Sequence, residues 1–188
     1  MALAAAMGTT MKHDLVQFEL DLSPMIDNAN YNDLLFLAMN LRPEDTLELS
    51  VTRDIDDAND LAWAGAYSRW RKVAIWDRRP VFAFGATQVK GEPRVQVWGF
   101  GCVHAVHALK PVTKYIKKIM IPEILSSGAI EAQAVSHPAN AASHRWLQFL
   151  GFRPKATITG VGPRKQDMLL FTVSADDIAR RSPVPIAA

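Results

Sequence analysis

Apolar residues recur at helical spacing over the first third of the chain and follow a shorter, strand-like alternation in the rest. Apolar residues recur at helical spacing from Leu34 through Leu37 and Ala38 to Leu41, and they predict a helix over residues 31–40 with Asn30 as its cap. Pro43 followed by two acids predicts the start of a second helix. A third helix is predicted over residues 56–70. The aspartates near its start are interpreted as helix caps rather than a metal site: Asp54, Asp56 and Asp57.

Short runs rich in β-branched and aromatic residues replace the helical pattern after residue 70. Residues 73–76, 81–84 and 95–103 are separated by turn-like segments and predict three consecutive antiparallel strands. A helix is predicted from Pro111, and Pro122 must end or kink it because proline removes a helical hydrogen bond.

The last third of the chain predicts a strand, a helix and two further strands. Residues 129–136 alternate like a strand, and residues 139–150 are predicted to be helical. The apolar stripe of that helix is assigned to Ala142, Trp146, Phe149 and Leu150. Gly151 is expected to end the helix, and strands follow at 156–159 and 168–173. Helices followed by β-β-β-α-β-α-β-β predict an α+β domain around one mixed sheet, with a right-handed β-α-β crossover.

Length and composition indicate a protein of one domain, with neither a membrane span nor a disulfide. The 188 residues, of which 49% are hydrophobic, fit one domain. We assign residues 1–13 to an N-terminal arm, 14–174 to the domain and 175–188 to a peripheral tail. The first strand of the domain is expected at residues 15–20. A net charge of +2 gives no support to direct contact with nucleic acid. Neither a membrane span nor a signal peptide is predicted, and the single cysteine excludes an internal disulfide.

Residues 140–152 carry a more specific pattern. The segment NAASHRWLQFLGF combines a helix-opening Asn140, a small residue at Ser143, and Gly-Phe eleven residues after the asparagine. Together with the strand order, it resembles the fourth helix of the acyl-CoA N-acyltransferase (GNAT) family. The resemblance implies a single α+β domain with a mixed central β-sheet flanked by helices. It also implies that the strands at 95–103 and 129–136 are parallel neighbours that separate at their C-terminal ends.

A narrower likeness concerns residues 40–45, NLRPED, with residues 143–147 and 150–152. These segments are similar to a group of tailed-phage proteins that carry a GNAT-like domain, some of them named internal virion proteins. This likeness implies a place in the virion or the host cytoplasm and other virion proteins as partners. The contacts are expected through the arm, the tail or an exposed Trp70 flanked by arginines.

The GNAT resemblance also implies where a cofactor binds. Active members cradle the CoA pyrophosphate in a glycine-rich loop before the third helix. Here residues 104–113 contain no glycine and include Pro111, so Lys110 and Lys114 are left as point charges. The other cofactor-binding candidates that the resemblance implies are Val103, Asn140 and Ser143. If this site is degenerate, no cofactor is expected. If the protein is an enzyme, the expected cofactor is acetyl-CoA.

His104, at the end of the predicted strand, is the candidate general base. The position where the family often has a tyrosine general acid is Leu147, which cannot transfer a proton. Cys102 is interpreted as a buried, inert thiol rather than a nucleophile. His104, His107 and His137 have no carboxylate at ligand spacing, so no metal site is predicted.

Two functions remain open from the sequence. The favoured one is a phage virion-associated or assembly protein built on a GNAT-like fold with a degenerate acetyl-CoA site, because the loop glycines and the tyrosine are both absent. The alternative is an active acetyl-CoA-dependent N-acetyltransferase that modifies a host or phage amine. The site, not the fold, has to decide between them.

Overall fold

A computed structural model describes residues 23–53, 56–88 and 91–180. Seven strands form one sheet in the order β1-β2-β3-β4-β5-β7-β6. All neighbouring strands are antiparallel except β4 and β5, which are parallel. The strands are β1 Met25–Asn28, β2 Trp70–Trp76, β3 Arg79–Gln88, β4 Arg94–Gly101, β5 Glu131–Ser136, β6 Arg153–Val161 and β7 Gln166–Ser174.

Helices cover the sheet and connect its strands, which confirms the predicted α+β class with a mixed sheet. The helices are α1 Tyr31–Ala38, α2 Pro43–Leu49, α3 Ala58–Ala66, α4 Leu109–Tyr115, α5 Ile121–Ser126, α6 Ala141–Leu150 and α7 Ala175–Ala179. A 3-10 helix, Val103–His107, joins β4 to α4, and a π-helical turn, Ile116–Met120, joins α4 to α5. The sequence pattern missed β1 and α7 because four or five residues are too few to show a period. The strand predicted at 15–20 lies outside the described residues.

The predicted helix starts are confirmed by their caps. The Asn30 side chain accepts a hydrogen bond from the Asp33 N–H at 3.0 Å, and the Asp33 carboxylate accepts one from the Asn30 N–H at 3.2 Å. Pro43 is the first residue of α2. The Asp57 side chain caps α3 by accepting from the Asn59 N–H at 3.0 Å.

The third predicted helix is too long at its C-terminal end. It ends at Ala66, and Trp70 is the first residue of β2. Trp70 is only 7% exposed, and its indole N–H donates to Glu123 at 3.0 Å. The expectation of an exposed Trp70 anchor is therefore wrong, since this ring is already packed and hydrogen-bonded inside the protein.

The helical path around Pro122 is distorted but not broken. The π-helical turn directly precedes α5, and Pro122 is the second residue of that helix. The helix that was predicted from Pro111 begins two residues earlier, at Leu109. Gly128, with φ of +96°, follows the end of α5.

The apolar stripe assigned to α6 is wrong in part. Leu147 and Leu150 are each 6% exposed and face the core, whereas Phe149 is 63% exposed. The helix lies beside α4, where the Trp146 indole donates to the Thr113 hydroxyl at 2.9 Å, and this contact fixes its rotation. On a ten-residue helix, two neighbouring stripes both contain apolar residues, and their spacing alone does not show which stripe faces the core.

Gly151 ends α6 in the left-handed region, with φ of +116°, as predicted. Replacing it with alanine is expected to lower the free energy of unfolding by about 1 kcal/mol, because a Cβ is strained at positive φ. Chemical denaturation measures this loss, and Gly151→Asn should lose less because asparagine tolerates the left-handed region. An alanine variant as stable as the wild type would contradict this account of the helix end.

Strands β4 and β5 are paired only at their beginnings. Arg94, Val95 and Gln96 align with Glu131, Ala132 and Gln133. Beyond these residues both strands continue without partnering each other, β4 to Gly101 and β5 to Ser136. The predicted parallel pair that separates at its C-terminal ends is confirmed, and it leaves an opening in the middle of the sheet.

Candidate active site in the opening of the sheet

The opening between β4 and β5, here called the slot, is a cavity of about 820 Å³. Its lining comes from both faces of the sheet. Phe82 contributes from the face that packs on α6, where its ring meets Trp146 edge-on at 5.8 Å. Trp98 contributes from the face that packs on α3, where its indole N–H donates to the Ser68 hydroxyl at 2.9 Å. The slot therefore passes through the sheet, and its size is that of a ligand pocket.

Most of the slot wall is apolar, and the α2 side adds two carboxylates. Glu48 lines the slot and accepts hydrogen bonds from the Ser136 hydroxyl and, at 3.1 Å, from the His137 N–H. Burial raises the pKa of the Glu48 carboxyl above its ordinary value, although these hydrogen bonds act in the opposite direction. A carboxylate whose pKa is raised binds a proton more readily than an ordinary one, which suits a general base.

Asp45 lies one helical turn before Glu48 and is 3% exposed. It accepts from the Gly101 N–H at 2.7 Å, and from Nε and Nη2 of Arg42 at 2.8 and 3.0 Å. Burial raises the pKa of Asp45, outweighing the nearby guanidinium.

Helix α2 therefore connects the two strand ends that border the slot. Asp45 holds Gly101, the last residue of β4, while Glu48 holds Ser136, the last residue of β5. Because the two acids are three residues apart, they lie on one side of the helix. Sequence reasoning assigned a site role to neither: Asp45 was noted only as the last residue of NLRPED, Glu48 belongs to no motif, and the available signal was their helical spacing.

The residues named from the sequence fall into two groups. Val103, Asn140 and Ser143 line the slot. His104 does not; it is exposed in the 3-10 helix, where its ring lies 5.9 Å from Trp76. Lys110 and Lys114 are exposed on α4, outside the slot lining. The roles assigned to these residues stay predictions.

No protein-family model matches the chain, and no curated protein matches it in sequence. Solved structures match in fold. A GNAT-family acetyltransferase from Bacillus anthracis superimposes with a TM-score of 0.58 at 12% identity, covering 82% of this chain and 96% of that chain. A ribosomal-protein-alanine N-acetyltransferase from Brucella melitensis gives 0.58 at 16% identity, covering 80% and 99%. An aminoglycoside acetyltransferase in complex with coenzyme A and kanamycin gives 0.60 at 14% identity, covering 85% and 99%. The chain has the GNAT fold.

At these identities the likeness establishes the GNAT fold and leaves the activity to the residues of the site. The narrower likeness to tailed-phage proteins stays a prediction. Among residues 23–53, 56–88 and 91–180, no helix has the length and apolar character needed to cross a membrane, and no three metal-ligating side chains come together.

The turn after β4 differs from the glycine-rich loop that the GNAT resemblance placed there. The N–H groups of Ala105, Ala108 and Val112 are engaged in helical bonds, each of 3.0 Å, to carbonyl groups three or four residues earlier. Pro111 has no N–H to offer. This turn therefore fits a pyrophosphate poorly, whereas the slot beside it has the size and apolar wall that a pantetheine arm needs.

Two neighbouring positions have no acid–base function. Leu147, the position of the general-acid tyrosine in the resemblance, faces the core. Cys102 is a free thiol that is 6% exposed, directly after β4 rather than inside it. Its burial agrees with the inert role predicted for it.

Proposed function

We propose that the slot holds the acyl-pantetheine arm of a thioester donor and that the protein transfers the acyl group to an amine. The observation that carries the proposal is the slot itself, with β4 and β5 held apart by Asp45 and Glu48. Burying two carboxylates beside an open cavity costs stability. Such an arrangement suits a protein that uses the cavity for chemistry better than one that uses the fold as a scaffold.

The reaction needs one proton acceptor. The amine nitrogen attacks the thioester carbonyl carbon, a C–N bond forms, and the C–S bond breaks. Glu48 takes the proton that the amine gives up, directly or through a water molecule. The thiolate leaves and takes a proton from water. Because a thiol has a pKa of about 8.5, it can leave without a general acid, and Leu147 does not prevent the reaction.

The charge near α2 supports an amine as the acceptor. Residues 43–60 contain seven acids and one cation, Arg53. Arg53 lines the slot and is paired with Asp60 at 2.7 Å, while Glu44 and Glu48 line the same end. A negative mouth attracts a cationic amine and raises its local concentration; the ammonium group then loses one proton to solvent before its nitrogen attacks, and Glu48 takes the second proton during the transfer.

Free acetyl-CoA is expected to bind weakly, because the turn after β4 has no glycine, Pro111 has no N–H, and the N–H groups of Ala105, Ala108 and Val112 are engaged in helical bonds. A ligand at 100 times its dissociation constant raises stability by about 2.7 kcal/mol, which is several degrees of melting temperature for a chain of this size. We expect millimolar acetyl-CoA to leave the thermal unfolding midpoint nearly unchanged. A shift of several degrees that Lys110→Glu abolishes would contradict this expectation.

The proposed chemistry is tested with acetyl-pantetheine, which keeps the arm and the thioester but lacks the nucleotide. Acetyl transfer to a lysine-containing peptide, spermidine and kanamycin is followed by mass spectrometry. We expect acetylation of at least one of these amines above the uncatalysed rate. The absence of transfer from acetyl-pantetheine, from acetyl-CoA and from a protein-bound acetyl thioester would overturn the proposed function.

A second candidate is the virion-associated or assembly role with a degenerate site. The same glycine-free turn favours it, since a protein that no longer binds acetyl-CoA has no need of a pyrophosphate loop. Mass spectrometry of purified phage particles tests this role. Absence of the chain from the particle would contradict it.

A further inference from the structure

Exposed apolar side chains lie at the mouth of the slot and on the neighbouring helix α6. Val103 is 67% exposed and Val106 is 64% exposed, and both line the slot. Phe149 on α6 is 63% exposed. Large apolar groups that remain uncovered around a cavity mouth are typical of a surface that binds another protein.

The same surface is basic. Residues 103–121 and 141–151 contain no Asp or Glu. They carry Lys110, Lys114, Lys117, Lys118 and Arg145, all exposed. Within the described part of the chain, none of these five cations forms a salt bridge. These five cations with Val103, Val106 and Phe149 are called the basic face.

Contacts between α4 and α6 make the basic face continuous. The Trp146 indole donates to Thr113, and Nζ of Lys117 lies 4.4 Å from the centre of the Phe149 ring. The two helical segments are thus side by side, with the slot mouth next to them. A molecule on this surface can place an extended arm in the slot.

Resting on the proposed function, we propose that the acyl donor is delivered by an acidic carrier protein, whose phosphopantetheine arm carries the acyl group as a thioester. The basic face docks the carrier, and the arm enters the slot beside Val103 and Val106. Such a donor has a single phosphodiester where CoA has a pyrophosphate. It therefore does not need the backbone cradle that the turn around Pro111 lacks.

The type of surface favours a protein carrier as the donor. The exposed Val106 and Phe149 are apolar groups of the kind that a protein partner covers in the centre of its contact, and the basic charge suits an acidic partner. Opposite charges on two proteins steer their encounter and are screened by salt. The acyl transfer keeps the balance given above, with the carrier's thiol as the leaving group.

The experiment measures binding of a fluorescently labelled, acidic bacterial acyl carrier protein to the full chain by anisotropy. The carrier is used with its phosphopantetheine arm (holo) and without it (apo). We expect the holo form to bind at least about tenfold more tightly than the apo form, since only holo can fill the slot. Binding should weaken as salt is raised. Equal binding of the two forms, or no binding of either, overturns the inference.

A charge-reversed variant tests the docking surface. Lys117→Glu combined with Lys118→Glu is expected to weaken holo-carrier binding about tenfold, whereas Arg164→Glu, an exposed cation on the β6–β7 turn, should not. Circular dichroism confirms that both variants are folded. Equal losses in both variants would overturn the assignment of the basic face.

Turnover separates this inference from the function on which it rests. We expect the acetyl-loaded carrier to be used more efficiently than acetyl-CoA. If acetyl-pantetheine or acetyl-CoA supports transfer but the acetyl-loaded carrier is no better than acetyl-CoA, carrier delivery is overturned and acyl transfer stands. If none of the three donors supports transfer, both proposals fall.

Discussion

Glu48→Gln is expected to slow acetyl transfer from acetyl-pantetheine by about 100-fold or more, because a positioned general base contributes at least that factor. Glutamine has nearly the same shape and keeps an oxygen that can accept from Ser136 and His137. The variant should therefore fold while losing the proton acceptor. Steady-state turnover with the amine that the wild type acetylates best measures the effect.

The pH profile distinguishes a proton acceptor from a structural group. Since burial raises the pKa of Glu48, wild-type turnover should fall as the pH is lowered through that raised value, where the carboxylate becomes protonated. This fall in turnover at low pH, the acid limb of the profile, should be missing from the Glu48→Gln variant. Glu92→Gln, the same change at an exposed turn, serves as the control and should keep both the rate and the limb. Wild-type turnover in Glu48→Gln would exclude Glu48 as the base.

Asp45→Ala is expected to lower the free energy of unfolding by about 3 kcal/mol, the loss that follows when one partner of a buried ion pair is removed. The Gly101 N–H loses its acceptor, and Arg42 loses its counter-charge. For a chain of this size the melting temperature should fall by roughly 6–12 °C. Calorimetry or a thermal melt followed by circular dichroism measures the change.

A second substitution at Asp45 and a control at an exposed aspartate test whether the loss of stability comes from the bonds that Asp45 makes. Asp45→Asn keeps an oxygen for the Gly101 N–H and should lose less stability than alanine. Asp167→Ala removes an exposed carboxylate on β7 and should change stability little. If Asp45→Ala melts like the wild type, the aspartate does not hold the end of β4.

The sequence by itself determined the order of the longer elements and those ends that a cap, a proline or a glycine marks. Asn30, Pro43 and Gly151 act through bonds and dihedral angles within four residues of their own positions, so their effects can be read locally. The alternation in β4 and β5 and the helical segment between them were enough to predict a parallel pair, because a crossover of that length permits it.

Only the tertiary structure decided which side chains meet at the slot. Glu48 and Ser136 are 88 positions apart, and Asp45 and Gly101 are 56 apart, so no local pattern links them. Trp70 and Phe149 show the same limit. Whether an apolar side chain is buried or exposed depends on what packs against it, and the residue type alone does not decide it. Local rules fix where a helix or strand begins and ends, whereas burial and long-range hydrogen bonds depend on how those elements are brought together in the folded chain.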